Sequence, residues 1–340
     1  MPDQRPAATR RNFIQTALGA AALAQRALAQ RSSPNGVPTR RLGRTDEQVA
    51  IVGVGGGHIG RIAGDDKPAA IRLMHAAIDN GANFFDNAWA YSDGVAEEAM
   101  GDALQGGKRD KVFLMTKNSG RDTKFSKQCL EDSLRRLKTD RIDLWQFHEN
   151  NHDNDPDWIF EKGGIEVALQ AQKEGKVRYI GFTGHKDPRI HNKMISKPYD
   201  WATAQMPINP MDYFYRSFQH ETLPKCLAKD IGVIGMKSMG GGAPVGKIVS
   251  DTSLTAEECL RFALSLPIST LVRGWLTVEQ MEADVAVARE FAPLTMEAQR
   301  VILAKAREDA GDGRHEQFKS TQRYENPIYR KMHGTMLEGD

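Results

Sequence analysis

Residues 112–148 read VFLMTKNSGRDTKFSKQCLEDSLRRLKTDRIDLWQFH. The apolar run Val112 to Thr116 closes on Lys117, and the run Ile142 to Phe147 closes on His148. Between them, Lys127 to Leu137 puts Cys129, Leu130, Leu134 and Leu137 on one helical face. This is a strand–helix–strand unit. One unit upstream, Asn83-Phe84-Phe85 closes on Asp86, and Tyr91 follows five positions later in a loop. Three successive strands therefore end on an acid, a lysine and a histidine.

Read outward, the rhythm holds. Val49 to Val54 is predicted as strand one, followed by a helix over Ala69 to Asn80. Beyond His148 come strands at Val177–Phe182, Trp201–Met206, Gly232–Met236 and Thr270–Arg273. Their helices are expected at Ile165–Lys173, Arg189–Ile195, Glu221–Ala228, Ala256–Ser265 and Val278–Phe291. Ser253 or Thr255, and Thr277, stand where helix caps belong. The strand runs are continuously apolar, as parallel strands covered on both faces are. Eight strand–helix pairs are the count of an α/β (β/α)8 TIM barrel, whose catalytic groups come from the carboxyl ends of different strands. Asp86, Tyr91, Lys117 and His148 would then share one rim. Thr39 to Gln48, with Gly43-Arg44-Thr45-Asp46 inside it, is expected as a hairpin plugging the barrel floor. Met296 to Glu308 is amphipathic, and a polar tail runs from Arg314 to Asp340. A single domain over 39–340 follows, with that helix and tail as a C-terminal extension.

The string Gly55-Gly56-Gly57-His58-Ile59-Gly60 matches GxGxxG after a strand. A dinucleotide-binding Rossmann unit needs a helix to open at once there. Gly64, Asp65, Asp66 and Pro68 read instead as loop chemistry, so the glycines are expected to form a loop at the barrel mouth.

With 40% hydrophobic and 26% charged residues and a net charge of +2, the chain has the composition of a soluble globular protein and no basic excess calling for nucleic acid. Cys129, Cys226 and Cys259 lack CxxC spacing and read as buried thiols. His148, His152, Asp153 and Asp155 lack rigid ligand spacing, so no metal is expected there. His58, His185 and His220 read as loop or surface histidines.

The first thirty residues form a separate unit. Arg10-Arg11-Asn12-Phe13-Ile14 precedes an Ala-rich stretch over 16–24 and an Ala27-Leu28-Ala29 end. Basic start, short apolar middle and small-residue end describe an export signal, and the paired arginines resemble the twin-arginine motif. Residues 1–30 are thus expected to be a signal recognised by the twin-arginine export machinery, followed by a loose leader from Arg31 to Pro38, with the mature protein in a bacterial periplasm. The rival reading is an amphipathic helix on a cytosolic enzyme.

Chemically, the four rim residues fit carbonyl reduction. As hydride reaches the carbon, the oxygen needs a proton, which a tyrosine can give although its ordinary pKa is about 10. An adjacent ammonium, here Lys117, would lower that value, and Asp86 would offset the charge of a buried lysine. His148 would donate to or orient the carbonyl oxygen.

Phe85-Asp86-Asn87-Ala88-Trp89-Ala90-Tyr91-Ser92-Asp93-Gly94 resembles the FDTAxxYG segment of the aldo-keto reductases. Glu97 to Leu104 is similar to that family's SExxLGxAL helix, and Met115-Thr116-Lys117, Gln146-Phe147-His148 and Leu130 to Leu144 match its other segments. The likeness runs from about Arg40 to Phe291. It implies Tyr91 as proton donor, Lys117 and Asp86 as its tuning pair, and His148 as substrate orienter. For the nicotinamide cofactor it implies Thr183, Gln205 and Met236, with Gly184 in place of the usual Asn and Met236 in place of a stacking Tyr. Ser238, Met239, Gly240, Gly241 and Gly242 would line the pyrophosphate, and Gly274, Thr277 and Gln280 the adenosine phosphate. Arg273 is the only local basic residue there, and Leu276, Glu282 and Asp284 do not favour a 2′-phosphate, so the expectation is NADP(H) or NAD(H) with no preference. The substrate implied is a small carbonyl or alcohol. Trp89 and Asn150, with Trp145, Asn151, His315 and Phe318 near them, are expected to line a mouth suited to a sugar-like molecule. The changed Gly184 and Met236 also admit a non-catalytic nicotinamide-binding sensor or interaction protein on the same barrel.

Overall fold

A computed structural model describes residues 22–31, 36–242 and 246–339. Three short strands come first, β1 (Gln30–Arg31), β2 (Thr39–Arg41) and β3 (Gln48–Ala50), paired antiparallel in that order. Eight more follow: β4 (Val52–Gly55), β5 (Phe84–Asp86), β6 (Phe113–Asn118), β7 (Ile142–Phe147), β8 (Val177–Thr183), β9 (Thr203–Pro207), β10 (Gly232–Met236) and β11 (Thr270–Arg273). Each pairs in parallel with the next, and β11 closes on β4 through Leu271–Val52 and Arg273–Val54. The (β/α)8 barrel read from the sequence is the fold of the chain. Every residue of β4 to β7 is buried, which is why those runs lack polar alternation.

The expected hairpin closes the floor. Its turn is anchored by the Arg44 N–H donating to Asp230 O (2.7 Å) and by Arg41, which grips the Asp230 carboxylate with two bonds of 2.6 Å. Gly43 has φ +52°, and a Cβ there would lie 2.1 Å from Gly232 N, so only glycine fits. Above the turn, Leu42 and Val49 join Phe84, Phe113, Met115, Leu144 and Ile234 in a cluster that fills the lower barrel.

Three expectations change. Strand one is two strands: the run Val49 to Val54 breaks at Ile51, whose N–H turns to Pro38 O, so one apolar stretch serves the floor sheet and then the barrel. The glycine string is helical from Gly56, within Gly56–Asp79, not a loop. That helix breaks at Asp66 (φ −143°), whose side chain caps the renewed turn through the Ala69 N–H, with Pro68 in its first turn. Asp66 and Pro68 thus mark a helix restart, and closure of all eight strands is what excludes the Rossmann reading. Thirdly, Gln30–Arg31 pairs with Thr39 and Arg40, so the floor sheet starts ahead of Thr39. Arg10, Arg11 and the rest of 1–21 lie outside the described residues; 22–28 is helical, with Leu23, Arg26 and Ala27 beside Arg41 and Asp230.

Caps fall where the sequence put them. Thr255 forms a full capping box with Glu258, and Thr277 accepts from the Gln280 N–H. All three cysteines are buried free thiols, pushed up to about 12 by burial. Among the described residues no helix is long and apolar enough to cross a membrane.

The tail runs back across the mouth. Lys319 is fully buried and bonds the Asp212 carboxylate (2.6 Å), Glu316 and Tyr215 O. The helix Pro327–His333 pins its end through His333 to Asp155 (3.0 Å) and Tyr329 Oη to Ser119 Oγ (2.7 Å).

Candidate active site

Parallel pairing brings the predicted residues together at the carboxyl ends of β5, β6 and β7. Asp86 ends β5, Lys117 lies one residue from the end of β6, and His148 follows β7. Tyr91 opens a 3-10 turn, Tyr91–Gly94, in which Ser92 and Asp93 are left-handed (φ 48° and 52°).

The buried Lys117 ammonium is the hub. It pairs with Asp86, donates to Asn87 O (2.7 Å) and donates to Tyr91 Oη at 3.2 Å. All three of its protons are thereby placed. The second Asp86 oxygen accepts Gln205 Nε2 at 2.6 Å. Gln205 from β9 thus belongs to the same chain of bonds as the phenol: Gln205, Asp86, Lys117, Tyr91. Burial pulls the Lys117 pKa down, with Asp86 opposing.

Burial also pushes the Tyr91 phenol well above 10, helped by Asp86 and Glu149. This reverses the sequence expectation of a lowered phenol. Desolvation is the largest effect and Asp86 offsets part of the ammonium's field, so Tyr91 is held as a protonated phenol. His148 is held neutral, first by burial and then by Lys117. Its backbone is fixed by its own N–H to Asn118 O (2.9 Å) and by Arg121 Nη2 to its carbonyl (2.7 Å). Its ring meets Tyr91 edge-on at 5.4 Å and the tail's Tyr329 at 5.6 Å, and Nδ1 has no partner.

A cavity of about 540 Å³ opens above these groups. Of the predicted cofactor residues, Thr183, Gln205, Met236, Ser238, Met239, Gly242, Gly274 and Gln280 line it. Gly240 and Thr277 do not. Gly240 packs on His315 O and Ile248, and Thr277 is spent as a helix cap. Gly184 has a steric cause: a Cβ there would lie 2.4 Å from Asn150 O, leaving no room for the asparagine expected there.

The predicted substrate residues are misplaced. Asn150 is buried beneath the rim and donates to Phe147 O (2.9 Å) and Thr183 O (2.8 Å). Trp89 faces outward, its Nε1 on Asp132, its ring against Phe125 and under Arg136. Trp145, Asn151, His315 and Phe318 also stay off the cavity wall. His58 and His185, expected as loop or surface histidines, line it; burial pulls His58 down to about 4. His152 stacks on His333 at 3.8 Å and bonds Glu325.

Sequence reasoning missed Arg61, Glu149, Lys237, Tyr324, Glu325 and Asn326, all on the cavity wall. Arg273 is therefore not the only cation near the cofactor groove. It is also engaged, with Nε to Asp284 (2.7 Å) and Nη1 to Ser238 Oγ (2.9 Å). Glu149 and Lys237 share a signature: each directly follows a barrel strand or its first rim residue, in left-handed backbone (φ 46° and 57°). Such backbone costs a non-glycine residue about 1–2 kcal/mol. Lys237 Nζ sits over the Phe318 and Tyr324 rings (5.9 and 5.6 Å), joining cavity wall to tail.

A nicotinamide dinucleotide fits these groups. Gln205 Oε1 is buried without a partner, placed to accept from a carboxamide NH₂. Half-buried Met236 offers a soft apolar face beside it. Arg61, Lys237 and Arg273 supply positive charge along the same cavity.

The aldo/keto reductase family profile matches residues 52–259. An uncharacterized oxidoreductase of Bacillus subtilis, YqkF, is 25% identical over 316 residues, covering 79% of this chain and 97% of its own. Aldo-keto reductase AKR11C1 from Bacillus halodurans superposes with a TM-score of 0.65 at 24% identity, over 82% of this chain and 99% of that one. An aldo/keto reductase from Klebsiella pneumoniae, solved with NADP and acetate, gives 0.62 at 22% identity, over 78% and 93%. With its closed barrel, its rim of acid, lysine, tyrosine and histidine, and a family match across most of the barrel, this chain belongs to the aldo/keto reductase family of oxidoreductases.

Proposed function

We propose that Tyr91 is the proton donor of a nicotinamide-dependent carbonyl reductase, with Lys117 and Asp86 setting its proton and His148 orienting the carbonyl. The observation that carries this is the Lys117 ammonium, bonded to Asp86 and 3.2 Å from Tyr91 Oη. NADP(H) or NAD(H), when bound, supplies hydride to the carbonyl carbon or takes it from the alcohol. His148, neutral and with one N–H to give, polarises the carbonyl oxygen. As the carbon gains its hydride, the oxygen takes the proton from Tyr91 Oη. The phenolate left behind is stabilised by the adjacent ammonium, and Tyr91 regains its proton from solvent. Oxidation of an alcohol runs the same steps backwards. The phenol's raised pKa suits the reducing direction, which needs the proton in place. The test is incubation with dinucleotide deuterated at the transferring position and a panel of small aldehydes. Deuterium should appear on the carbonyl carbon of the alcohol product, and its absence from every product refutes the reading.

The paired arginines at 10 and 11 support a finer proposal, that the chain is exported to a periplasm by the twin-arginine route, folded around a tightly held dinucleotide. Fractionation of cells expressing the full chain and its Arg10→Lys/Arg11→Lys form tests it. Identical distributions, or an exported protein free of dinucleotide, contradict it.

A further inference from the structure

Glu149 is a carboxyl the four-residue chemistry does not use. It stands directly after His148, and its left-handed backbone turns its side chain into the cavity. That turn is clamped from below. Buried Arg121 donates Nη2 to the carbonyls of His148 (2.7 Å) and Glu149 (3.2 Å) while Nε pairs with Asp155 (2.8 Å). The carboxyl itself is poorly satisfied for a group only 8% exposed. Oε2 accepts the Asn326 N–H at 3.2 Å, while Oε1 is open to the cavity and makes no hydrogen bond or ion pair with the described residues. Asn326 also donates Nδ2 to Ala90 O (3.3 Å), so the tail spans the gap between the Tyr91 loop and Glu149. The carboxyl therefore shares the cavity wall with the His148 and Tyr91 groups that meet the reacting oxygen, with one acceptor open to the cavity.

An acceptor facing the cavity becomes costly when a bound ligand covers it without offering a donor, and a site built around one discriminates strongly between ligands that satisfy it and those that do not. An apolar aldehyde would close the cavity over that oxygen unpaired. A hydroxyl on the carbon next to the carbonyl would supply the donor. We propose that Glu149 is a specificity-determining residue that accepts a hydrogen bond from a hydroxyl adjacent to the reacting carbonyl, so that the substrates are hydroxy-aldehydes or hydroxy-ketones. This rests on the reductase reading. No covalent step is added to it.

Lactaldehyde and propanal differ by that one hydroxyl. The experiment measures kcat/KM for both, expressed per free carbonyl, in wild type, Glu149→Gln and Glu149→Leu, with dinucleotide binding by fluorescence as the check that each variant is folded. Wild type should favour lactaldehyde by at least ~10-fold, which needs no variant to fold. That ratio should fall by ~10–100-fold in E149L, with E149Q between, since the amide keeps a weaker acceptor. A wild type that favours propanal, or a ratio unmoved in both variants, overturns the assignment of Glu149 while leaving the reductase standing. Failure of wild type to reduce either aldehyde overturns both.

Discussion

Replacing Lys117 by methionine separates what the buried ion pair does for the fold from what it does for the reaction. In the fold, it strips Asp86 of its ammonium and leaves a 2% exposed carboxylate with only Gln205 Nε2 and little else. Breaking a buried pair on one side costs about 3–5 kcal/mol, whereas replacing both partners by apolar groups of similar volume is often near neutral. K117M alone should therefore lower unfolding stability by about 3–5 kcal/mol, and D86L/K117M should recover most of that. In the reaction, the ammonium 3.2 Å from Tyr91 Oη faces a phenolate only after proton transfer. At an effective dielectric of about 20 the attraction is ~5 kcal/mol, before Asp86 offsets part of it. A net loss of about 3–4 kcal/mol is ~10²–10³ in rate. The assay pairs urea unfolding with single-turnover reduction. The double variant should regain stability but not speed. A double variant as fragile as K117M would refute the burial argument, and one that regains turnover would refute the role given to the ammonium.

Other expectations follow from the same geometry. Glu149 is pushed up from 4.5 to about 7 by burial, with Asn326 N–H, Lys237 and Arg121 pulling the other way and Glu325 adding to the rise. Because the folded value exceeds the unfolded one, the stability it contributes is full below about pH 4.5 and lost as pH rises through about 7. Urea midpoints of wild type should thus fall between those limits by the equivalent of about 1–3 kcal/mol more than those of E149Q; parallel curves contradict this. Tyr329→Ala removes a ring packed on His148 and the bond to Ser119, so about 3–5 kcal/mol should be lost and amide exchange should rise across 314–335; unchanged exchange there would mean the tail is held elsewhere. Asp284→Ala frees Arg273, so affinity for NADPH relative to NADH should rise ~5–10-fold by fluorescence titration, and an unmoved ratio would place Arg273 outside the phosphate site.

The barrel and the meeting of its rim residues were legible for one physical reason. Buried parallel strands must be continuously apolar, so a charged residue at a strand end stands out, and closure brings successive ends together. Asp86, Lys117 and His148 needed only that rule. What failed was side-chain direction beyond the strand end. Asn150 and Trp89 lie close in sequence to His148 and Tyr91, yet one points beneath the rim and the other outward. Glu149 and Lys237 line the cavity because their backbone is left-handed, a conformation that nothing in those residue types announces. Gly184 looked like a departure and proves to be the only size that clears Asn150 O. The Asp66–Pro68 punctuation marked a helix restart because an Asp cap and a first-turn Pro serve helices as well as loops. Tyr324 to Asn326 reach the site from more than 170 residues beyond His148, a contact no local pattern carries.

The most direct test of the central claim is stopped-flow reduction of a hydroxy-aldehyde by wild type and Tyr91→Phe, each preloaded with reduced dinucleotide. The phenylalanine variant should hold the dinucleotide within about threefold of wild type and reduce the aldehyde ~10²–10⁴-fold more slowly. Reduction by Tyr91→Phe at the wild-type rate would contradict the account.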